Sequence, residues 1–192
     1  MKSLLVVVLI TLGLSSSLNA QEHTNRPPKL PPSTSTTPAN PPATSDGWAK
    51  FTSDEGRFSV VMPGVPEDSV ETKPSDHGPY TTHMFVLRHQ GKVFLIGYVD
   101  YDPSFNFNRQ AELEMNRDNF IKNLNATLLN TRSLRIDGYQ VLEFTAEAPQ
   151  RIFRSRVYMV GRRPYQIVIG SPKGVDDSVT INRFFNSFKV TP

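Results

Sequence analysis

The sequence contains no cysteine. This absence excludes disulfides, thiolate metal ligands and a cysteine nucleophile, so a folded domain in this chain must be stabilised by its own apolar core. A dominant charge of one sign is also lacking, because 21 basic and 18 acidic residues leave a net charge of only +3. A nearly neutral chain is not expected to bind nucleic acid or an anionic surface through its overall charge.

Long apolar runs are absent outside the N-terminus. There, Lys2 precedes a largely apolar stretch at residues 4–14, and a more polar stretch ends at Ala20. This pattern is typical of a secretory signal peptide cleaved after Ala20. The stretch is shorter than the roughly 20 apolar residues that cross a bilayer. We therefore predict a signal peptide at residues 1–20, no transmembrane span after its cleavage, and an exported protein that is periplasmic or secreted.

Residues 21–46 are rich in proline, serine and threonine, and Leu30 is their only aliphatic side chain larger than alanine. Such a segment cannot bury enough apolar surface to offset the entropy of ordering. Proline favours polyproline II geometry, which makes a segment semi-stiff. The composition predicts a disordered linker at residues 21–46, which precedes one folded domain at residues 47–192.

The domain at residues 47–192 alternates apolar and polar residues, with glycine and proline turns and two stretches of helical period. Strands joined by short hairpins are mostly antiparallel. We predict an α+β fold in which a mostly antiparallel sheet of six to seven strands is sandwiched between two main helices. The predicted helices occupy residues 108–124 and 176–188. The predicted strands occupy residues 48–51, 57–62, 69–73, 80–90, 92–101, 127–136, 139–147, 151–160 and 165–170.

The two predicted helices differ in how clearly they show an apolar stripe. In the first helix, Leu113 and Phe120 lie on the stripe and Glu112 lies among the residues that largely face water. Asn106 or Asn108 is placed to cap its N-terminus. In the second helix, apolar residues recur at spacings of three and four and predict burial against the sheet. These residues are Ile181, Phe184, Phe185 and Phe188.

Two motifs mark the beginning and the end of the domain. Residues 51–66 read FTSDEGRFSVVMPGVP, in which an aromatic strand and a Gly-Arg-Phe-Ser turn lead into a Pro-Gly-x-Pro stop. Residues 183–188 read RFFNSF and contain a Phe-x-x-Ser-Phe pattern. These motifs resemble the opening and the closing helix of PsbP-like domains, which occur in many exported bacterial proteins. The order and length of the elements agree with the family over nearly all of residues 48–190.

The resemblance implies a PsbP-type sandwich and a non-catalytic module. PsbP itself is an extrinsic subunit that supports the oxygen-evolving centre of photosystem II, and relatives of the fold act as assembly or binding proteins. Both motifs describe turns and core positions, so the resemblance carries over no ligand residues.

Arginine is concentrated in the second half of the domain, where residues 127–174 hold eight basic and three acidic residues. Guanidinium groups suit carboxylates and phosphates because their N–H donors match these anions in geometry. We therefore predict a basic patch that binds an acidic protein, a glycan or an anionic headgroup. The alternative is that Glu143, Glu147 and the acidic residues of the helix pair with these arginines across the sheet as surface ion pairs. The predicted patch comprises Arg151, Arg154, Arg156, Arg162 and Arg163.

A second candidate site lies at the end of the strand at residues 92–101. The spacing of Asp100 and Asp102 places both carboxylates on one side if the strand continues. Together with His77 from the preceding loop they form a candidate metal or acid–base site, and the alternative is a solvated strand end. His83 and His89 share a strand face but lie roughly 20 Å apart, so they cannot bind one metal ion together.

The sequence contains no nucleophile elbow, phosphate-binding loop or dinucleotide motif. We therefore predict an exported, non-enzymatic binding or assembly module that needs no cofactor, is a monomer, and binds an unknown protein or anionic ligand rather than nucleic acid. Two alternatives stay open. One is a metal-dependent or acid–base hydrolase that uses Asp100, Asp102 and His77. The other is a carrier with a small-ligand pocket between sheet and helix.

Overall fold

The computed structural model describes residues 46–106, 108–175 and 177–191. The predicted signal peptide and the predicted linker up to residue 45 lie outside the described residues. The described part contains ten strands and two helices. Neither described helix is long and apolar enough to cross a membrane.

In chain order the elements are β1 (Ala49–Ser53), β2 (Phe58–Met62), β3 (Glu67–Lys73), β4 (Tyr80–His89), β5 (Lys92–Tyr101), α1 (Arg109–Asn123), β6 (Thr127–Ile136), β7 (Tyr139–Glu147), β8 (Arg151–Val160), β9 (Arg163–Pro172), α2 (Ser178–Ser187) and β10 (Lys189–Val190).

Seven strands form the main sheet in the order β3-β4-β5-β9-β8-β7-β6, and every neighbouring pair is antiparallel. This confirms the predicted α+β fold with its mostly antiparallel sheet and two helices. β1, β2 and β10 form a separate three-stranded sheet that the sequence did not predict. Because seven antiparallel strands alternate in direction, the two edge strands β3 and β6 run the same way.

One face of the main sheet, here called the α2 face, is covered by α2 and the small sheet. Phe58 of β2 packs against Tyr98, Tyr165 and Phe188, with ring centroids 5.7–6.4 Å apart. The backbone N–H of Val61 donates to the Ser187 hydroxyl at 2.9 Å, which joins α2 to the small sheet. The predicted burial of the aromatic stripe of α2 is therefore confirmed.

The opposite face, here called the α1 face, is covered by α1. Phe120 packs against Phe144 and Phe153, with ring centroids 5.6 Å away in each case. The side-chain oxygen of Asn108 accepts hydrogen bonds from the backbone N–H groups of the first helical turn at 2.9 and 3.2 Å. Asn108 is therefore the N-cap, one of the two residues that the sequence offered for this role.

Three hairpins of the main sheet turn over two residues each, namely β4–β5, β6–β7 and β8–β9. Asp137 and Gly138 both have positive φ, at 51° and 83°, as the turns that fit twisted strands require. The hairpin between β8 and β9 differs from the prediction, which placed Pro164 in the turn. Pro164 lies in β9, where pairing with β5 begins only at Tyr165. Its missing amide hydrogen therefore removes no bond between these two strands.

The described chain begins beside α2. The carboxylate of Asp46 accepts hydrogen bonds from the guanidinium of Arg183, which also lies 4.5 Å from the ring centre of Trp48. Trp48 in turn packs edge-on against Phe94 of the main sheet at 5.8 Å. These contacts fix the point at which the chain enters the domain.

Candidate functional site

The eight predicted site residues fall in three places. Arg154 and Arg156 lie in the middle of β8 on the α2 face, and Arg151 begins β8 near the hairpin between β4 and β5. The other five lie where β5 ends and β8 turns into β9. These five are His77, Asp100, Asp102, Arg162 and Arg163.

Asp100 is held between two side chains of neighbouring strands. Its Oδ1 accepts a hydrogen bond from Nε of Arg163 at 2.6 Å, and its Oδ2 lies 3.5 Å from Nε2 of His83. Arg163 also donates to the carbonyl oxygen of Glu55 at 3.0 Å. The carboxylate is thus compensated by a guanidinium that also ties the turn after β1 to the main sheet.

The aromatic ring of Tyr98 packs against both partners of Asp100. The imidazole of His83 stacks on the ring of Tyr98 at 4.3 Å, and the Arg163 guanidinium lies 4.8 Å from the centre of the same ring. Burial, assisted by the charge of Glu55, raises the pKa of Tyr98 to about 12, so its phenol is neutral in the physiological range. His83 is only 4% exposed, which makes its imidazole part of the core.

Asp102 has different partners from Asp100. The hydroxyl and backbone N–H of Ser104 lie 2.7 and 2.9 Å from its carboxylate and lower the pKa of Asp102. The same hydroxyl lies 2.5 Å from the carbonyl oxygen of His77. Within residues 46–106, 108–175 and 177–191, no group of three or more His, Asp and Glu side chains is placed to hold a metal ion. The structure therefore does not gather the three predicted metal ligands into one centre.

Arg162 and Arg151 bind main-chain oxygens within the domain. Arg162 donates to carbonyl oxygens of the loop after β5, the shortest being that of Phe105 at 2.6 Å. Arg151 donates to the carbonyl oxygen of Gly91 at 2.6 Å, in the turn between β4 and β5. Both guanidinium groups hold loops in place, so these two members of the predicted patch have structural contacts.

Two arginines share one carboxylate on the α2 face near the edge strand β6, and a third arginine lies two residues away on the same face of β8. We call Arg132, Arg154, Arg156 and Glu143 the arginine surface. Glu143 accepts hydrogen bonds from Nε of Arg132 and Nε of Arg156, each at 2.7 Å. The side chain of Arg154 forms no hydrogen bond or ion pair with another described residue. The surface therefore carries excess positive charge.

Glu143 is stabilised in its charged form. Partial burial raises the pKa of Glu143, but the hydrogen bonds from Arg156 and Arg132 outweigh burial and leave it lowered. Arg156 also lies 4.8 Å from the ring centre of Phe185, which positions its guanidinium between α2 and the sheet. The predicted ion pairs across the sheet thus form at Glu143, whereas Glu147 pairs with Lys173 instead of an arginine.

The α1 face contains a buried carboxyl. Glu112 is 3% exposed, its Oε1 accepts a hydrogen bond from the Tyr101 phenol, and the Asn116 amide donates to the same oxygen at 3.1 Å. Burial raises the pKa of Glu112, and the hydrogen bonds from Tyr101 and Asn116 offset only part of this effect. The prediction that Glu112 faces water is wrong, because these two neutral donors make its burial tolerable.

A small cavity lies between the main sheet and α1, beside Gly97 and Asn116. Its volume is about 10 Å³, close to the space that one water molecule needs. An open groove of about 330 Å³ lies at the turn between β7 and β8, lined by residues that include Leu129, Pro149 and Lys173. The small cavity lies between sheet and helix, which is where the sequence placed the pocket of a small-ligand carrier.

No protein-family model matches the sequence, and comparison with curated proteins gives no match. Among solved structures, the chain is similar to cyanobacterial PsbP (CyanoP) from Synechocystis sp. PCC 6803, with a TM-score of 0.52 and 13% identity. The alignment covers 77% of this chain and 94% of that chain. The chain has a PsbP-like fold. A crystal structure from Bacteroides thetaiotaomicron VPI-5482 also aligns at 13% identity over 77% of this chain and 49% of that chain, with a lower TM-score of 0.36.

The PsbP-like fold confirms the resemblance read from residues 51–66 and 183–188. In the structure, these motifs build the contact between the small sheet, α2 and the main sheet. A side chain at Gly56 would lie 2.7 Å from the ring of Phe58, and the carbonyl oxygen of Gly56 accepts a hydrogen bond from the Tyr165 phenol at 2.9 Å. At 13% identity the likeness to CyanoP establishes the fold alone.

Proposed function

We propose that this chain is an exported, non-enzymatic binding or assembly module that docks an anionic protein on the arginine surface. One observation carries the proposal: Arg132 and Arg156 share a single carboxylate, while Arg154 has no partner among the described residues. Export rests on the predicted signal peptide. The non-catalytic role agrees with what a PsbP-like fold implies.

The physical setting of Arg154 favours recognition. Its neighbours across the sheet are Thr145 and Ile169, which are held in a regular antiparallel ladder. A side chain on a rigid strand is pre-organised, so less entropy is lost when it binds. Arg132 and Arg156 lie on the same sheet face two residues away in register, so an acidic surface that contacts Arg154 also approaches positive charge that Glu143 only partly compensates. Such complementarity increases the rate of association and selects against cationic partners.

The test is cross-linked capture of the exported protein from the envelope and medium of its source, quantified by mass spectrometry. We expect Arg154→Ser combined with Arg156→Ser to reduce the amount of a stoichiometric partner by about tenfold. Because Arg156 also contacts Glu143 and Phe185, Arg154→Glu alone serves as a second variant that removes no described intramolecular bond. High ionic strength should weaken the same capture.

The matched control is the double change of Arg88→Ser and Arg109→Ser. Both side chains are exposed, and the change in net charge equals that of the test pair. Loss of the partner from the test variants but not from the control supports the proposal. Equal capture by wild type, Arg154→Glu and the double variant contradicts it.

A further inference from the structure

The two edges of the main sheet carry opposite charge. The β3 edge is exposed along residues 67–72 and contains Glu67, Asp68 and Glu71 against the single cation Lys73. The β6 edge is exposed along residues 127–133 and at Arg135, and contains Arg132 and Arg135 without any carboxylate. Within the part of the chain that the structure describes, no strand pairs with the outer side of either edge. Such open edges are templates for pairing with another strand.

The direction of the two edges determines how a second copy can extend the sheet. Since β3 and β6 run the same way, a copy displaced along the sheet without being turned over brings its β3 beside β6 in parallel. The α1 and α2 faces of the two copies then stay on the same sides. Parallel pairing forms a regular ladder, although it is slightly weaker per residue than antiparallel pairing.

One parallel register matches charges on both faces. Arg132 and Leu134 lie on the α2 face, as do Asp68 and Val70 of β3. Placing Arg132 beside Asp68 brings Leu134 beside Val70, a residue that is 58% exposed in the single chain. The same register places Arg135 beside Glu71 on the α1 face, since the side-chain period of a strand is two.

Symmetric pairings are disfavoured by the same charges. A twofold axis would pair β6 with β6 or β3 with β3, because a twofold interface uses the same patch on both copies. The first pairing brings arginines together and the second brings carboxylates together. We propose that copies of this chain associate head to tail, with the β6 edge of one copy pairing in parallel with the β3 edge of the next. This inference goes beyond the proposed function and does not depend on it.

The present partners of these side chains are easily exchanged. Arg132 is bound to Glu143 but its side chain is 61% exposed, and Glu71 pairs with Lys73 at 3.0 Å on the surface. Arg135 reaches only the carbonyl oxygen of Gly138 at 3.4 Å. Exposed pairs of this kind contribute about 0–1 kcal/mol, so they oppose a new contact only weakly.

The experiment is sedimentation velocity of the exported chain, purified without residues 1–20, across a wide concentration range at low and at high ionic strength. We expect the weight-average sedimentation coefficient to rise with concentration at low ionic strength and to rise less at high ionic strength. One variant carries Arg132→Glu and Arg135→Glu, and another carries Asp68→Arg and Glu71→Arg. Each variant has two edges of like charge, so each alone should lose the concentration dependence.

Mixing the two variants gives the decisive result. The acidic β6 edge of the first variant then complements the basic β3 edge of the second, and the reverse pair is also complementary. An equimolar mixture should therefore regain the concentration dependence. Arg154 lies two strands in from the β6 edge, so the Arg154→Glu variant should associate like wild type. Loss of self-association and loss of partner capture are therefore affected by different substitutions, and either proposal can fail without the other. A constant coefficient for wild type, association that survives either reversal, or a mixture that stays monomeric overturns the inference.

Discussion

The two faces of the main sheet accommodate polar groups in different ways. On the α2 face, Asp100 is compensated by Arg163 at the rim of an aromatic layer, and its side chain is still 37% exposed. On the α1 face, Glu112 is almost fully buried and is bonded only to the neutral donors Tyr101 and Asn116. A nearby guanidinium offsets the negative charge of a carboxylate, whereas burial without a cation favours the neutral form of a carboxyl. One sheet thus accommodates acidic residues either beside a cation or in a buried setting that favours their neutral form.

The apolar layers of the two faces differ as well. Phe120 on the α1 face packs against two aromatic rings, those of Phe144 and Phe153. Phe58 is completely buried at the point where β2, α2 and the main sheet meet. The rings around it are Phe51, Phe85, Tyr98, Tyr165 and Phe188.

The largest expected effect comes from Phe58→Ala compared with Phe120→Ala. Removing a buried phenylalanine costs about 3–5 kcal/mol of unfolding free energy, and more where the surroundings cannot collapse into the cavity. We expect Phe58→Ala to lie at the upper end, because its ring neighbours come from the small sheet, three strands of the main sheet and the end of α2. Denaturant unfolding measures both losses. An equal or larger loss for Phe120→Ala would contradict the expectation that the rings around Phe58 make its removal the more costly of the two.

A smaller effect is expected from Arg163→Met, which keeps an unbranched apolar stem but removes the guanidinium and its charge. Asp100 and the carbonyl oxygen of Glu55 then lose a donor, at a cost of about 1–2 kcal/mol in unfolding free energy. Partial exposure of Asp100 keeps the cost in this modest range. Arg163→Lys is the matched control and should retain part of the stability. If Arg163→Met unfolds at the same denaturant concentration as wild type, the ion pair does not stabilise the α2 face.

The smallest effect concerns pH and distinguishes the two faces by charge state. Because burial raises the pKa of Glu112, the folded protein holds this proton more tightly than the unfolded chain. The resulting stabilisation is complete below the ordinary value of 4.5 and is lost as pH rises through the raised pKa. Glu112→Gln retains hydrogen-bonding capacity and should remove this part of the pH dependence.

Unfolding free energies of wild type and Glu112→Gln, measured across the acid and neutral range, test this expectation. Glu114→Gln is the control, since Glu114 lies two residues further along α1 and is exposed. The wild-type curve should fall relative to that of Glu112→Gln as pH increases, and Glu114→Gln should follow wild type. Parallel curves for wild type and Glu112→Gln would mean that folding does not raise the pKa of Glu112.

Much of the fold could be predicted because its signals are local. Residue alternation predicted β5 at the bounds that the structure shows, and the cap at Asn108 follows from residue type and helical period. The small sheet could not be predicted in this way, because Val190 pairs with Phe58 across most of the domain. Two residues at the end of a chain give no periodic signal, so long-range packing decides whether they form a strand.

The candidate sites were harder to predict, since they depend on register between strands. The sequence grouped His83 with His89 along one strand, whereas its partner Asp100 comes from the neighbouring strand. Opposite charges in the arginine-rich segment indicated pairing with Glu143, but only the strand register shows that Arg154 is left without a described partner. For Glu112, the half-buried phenol of Tyr101 supplies a hydrogen-bond donor that helical periodicity does not take into account, and no sequence pattern signals such a donor.

The contacts among Asp46, Trp48 and Arg183 have a consequence for orientation. Because the chain enters the domain beside α2, anything joined to its N-terminal side is attached there, and α1 lies across the sheet. A domain coupled to a solid support through this end would have its α2 side nearer the support and its α1 side toward the solution. The ion pair between Asp46 and Arg183, together with the packing of Trp48, therefore sets the orientation of such an attached domain, and a change of that orientation would require these contacts to open.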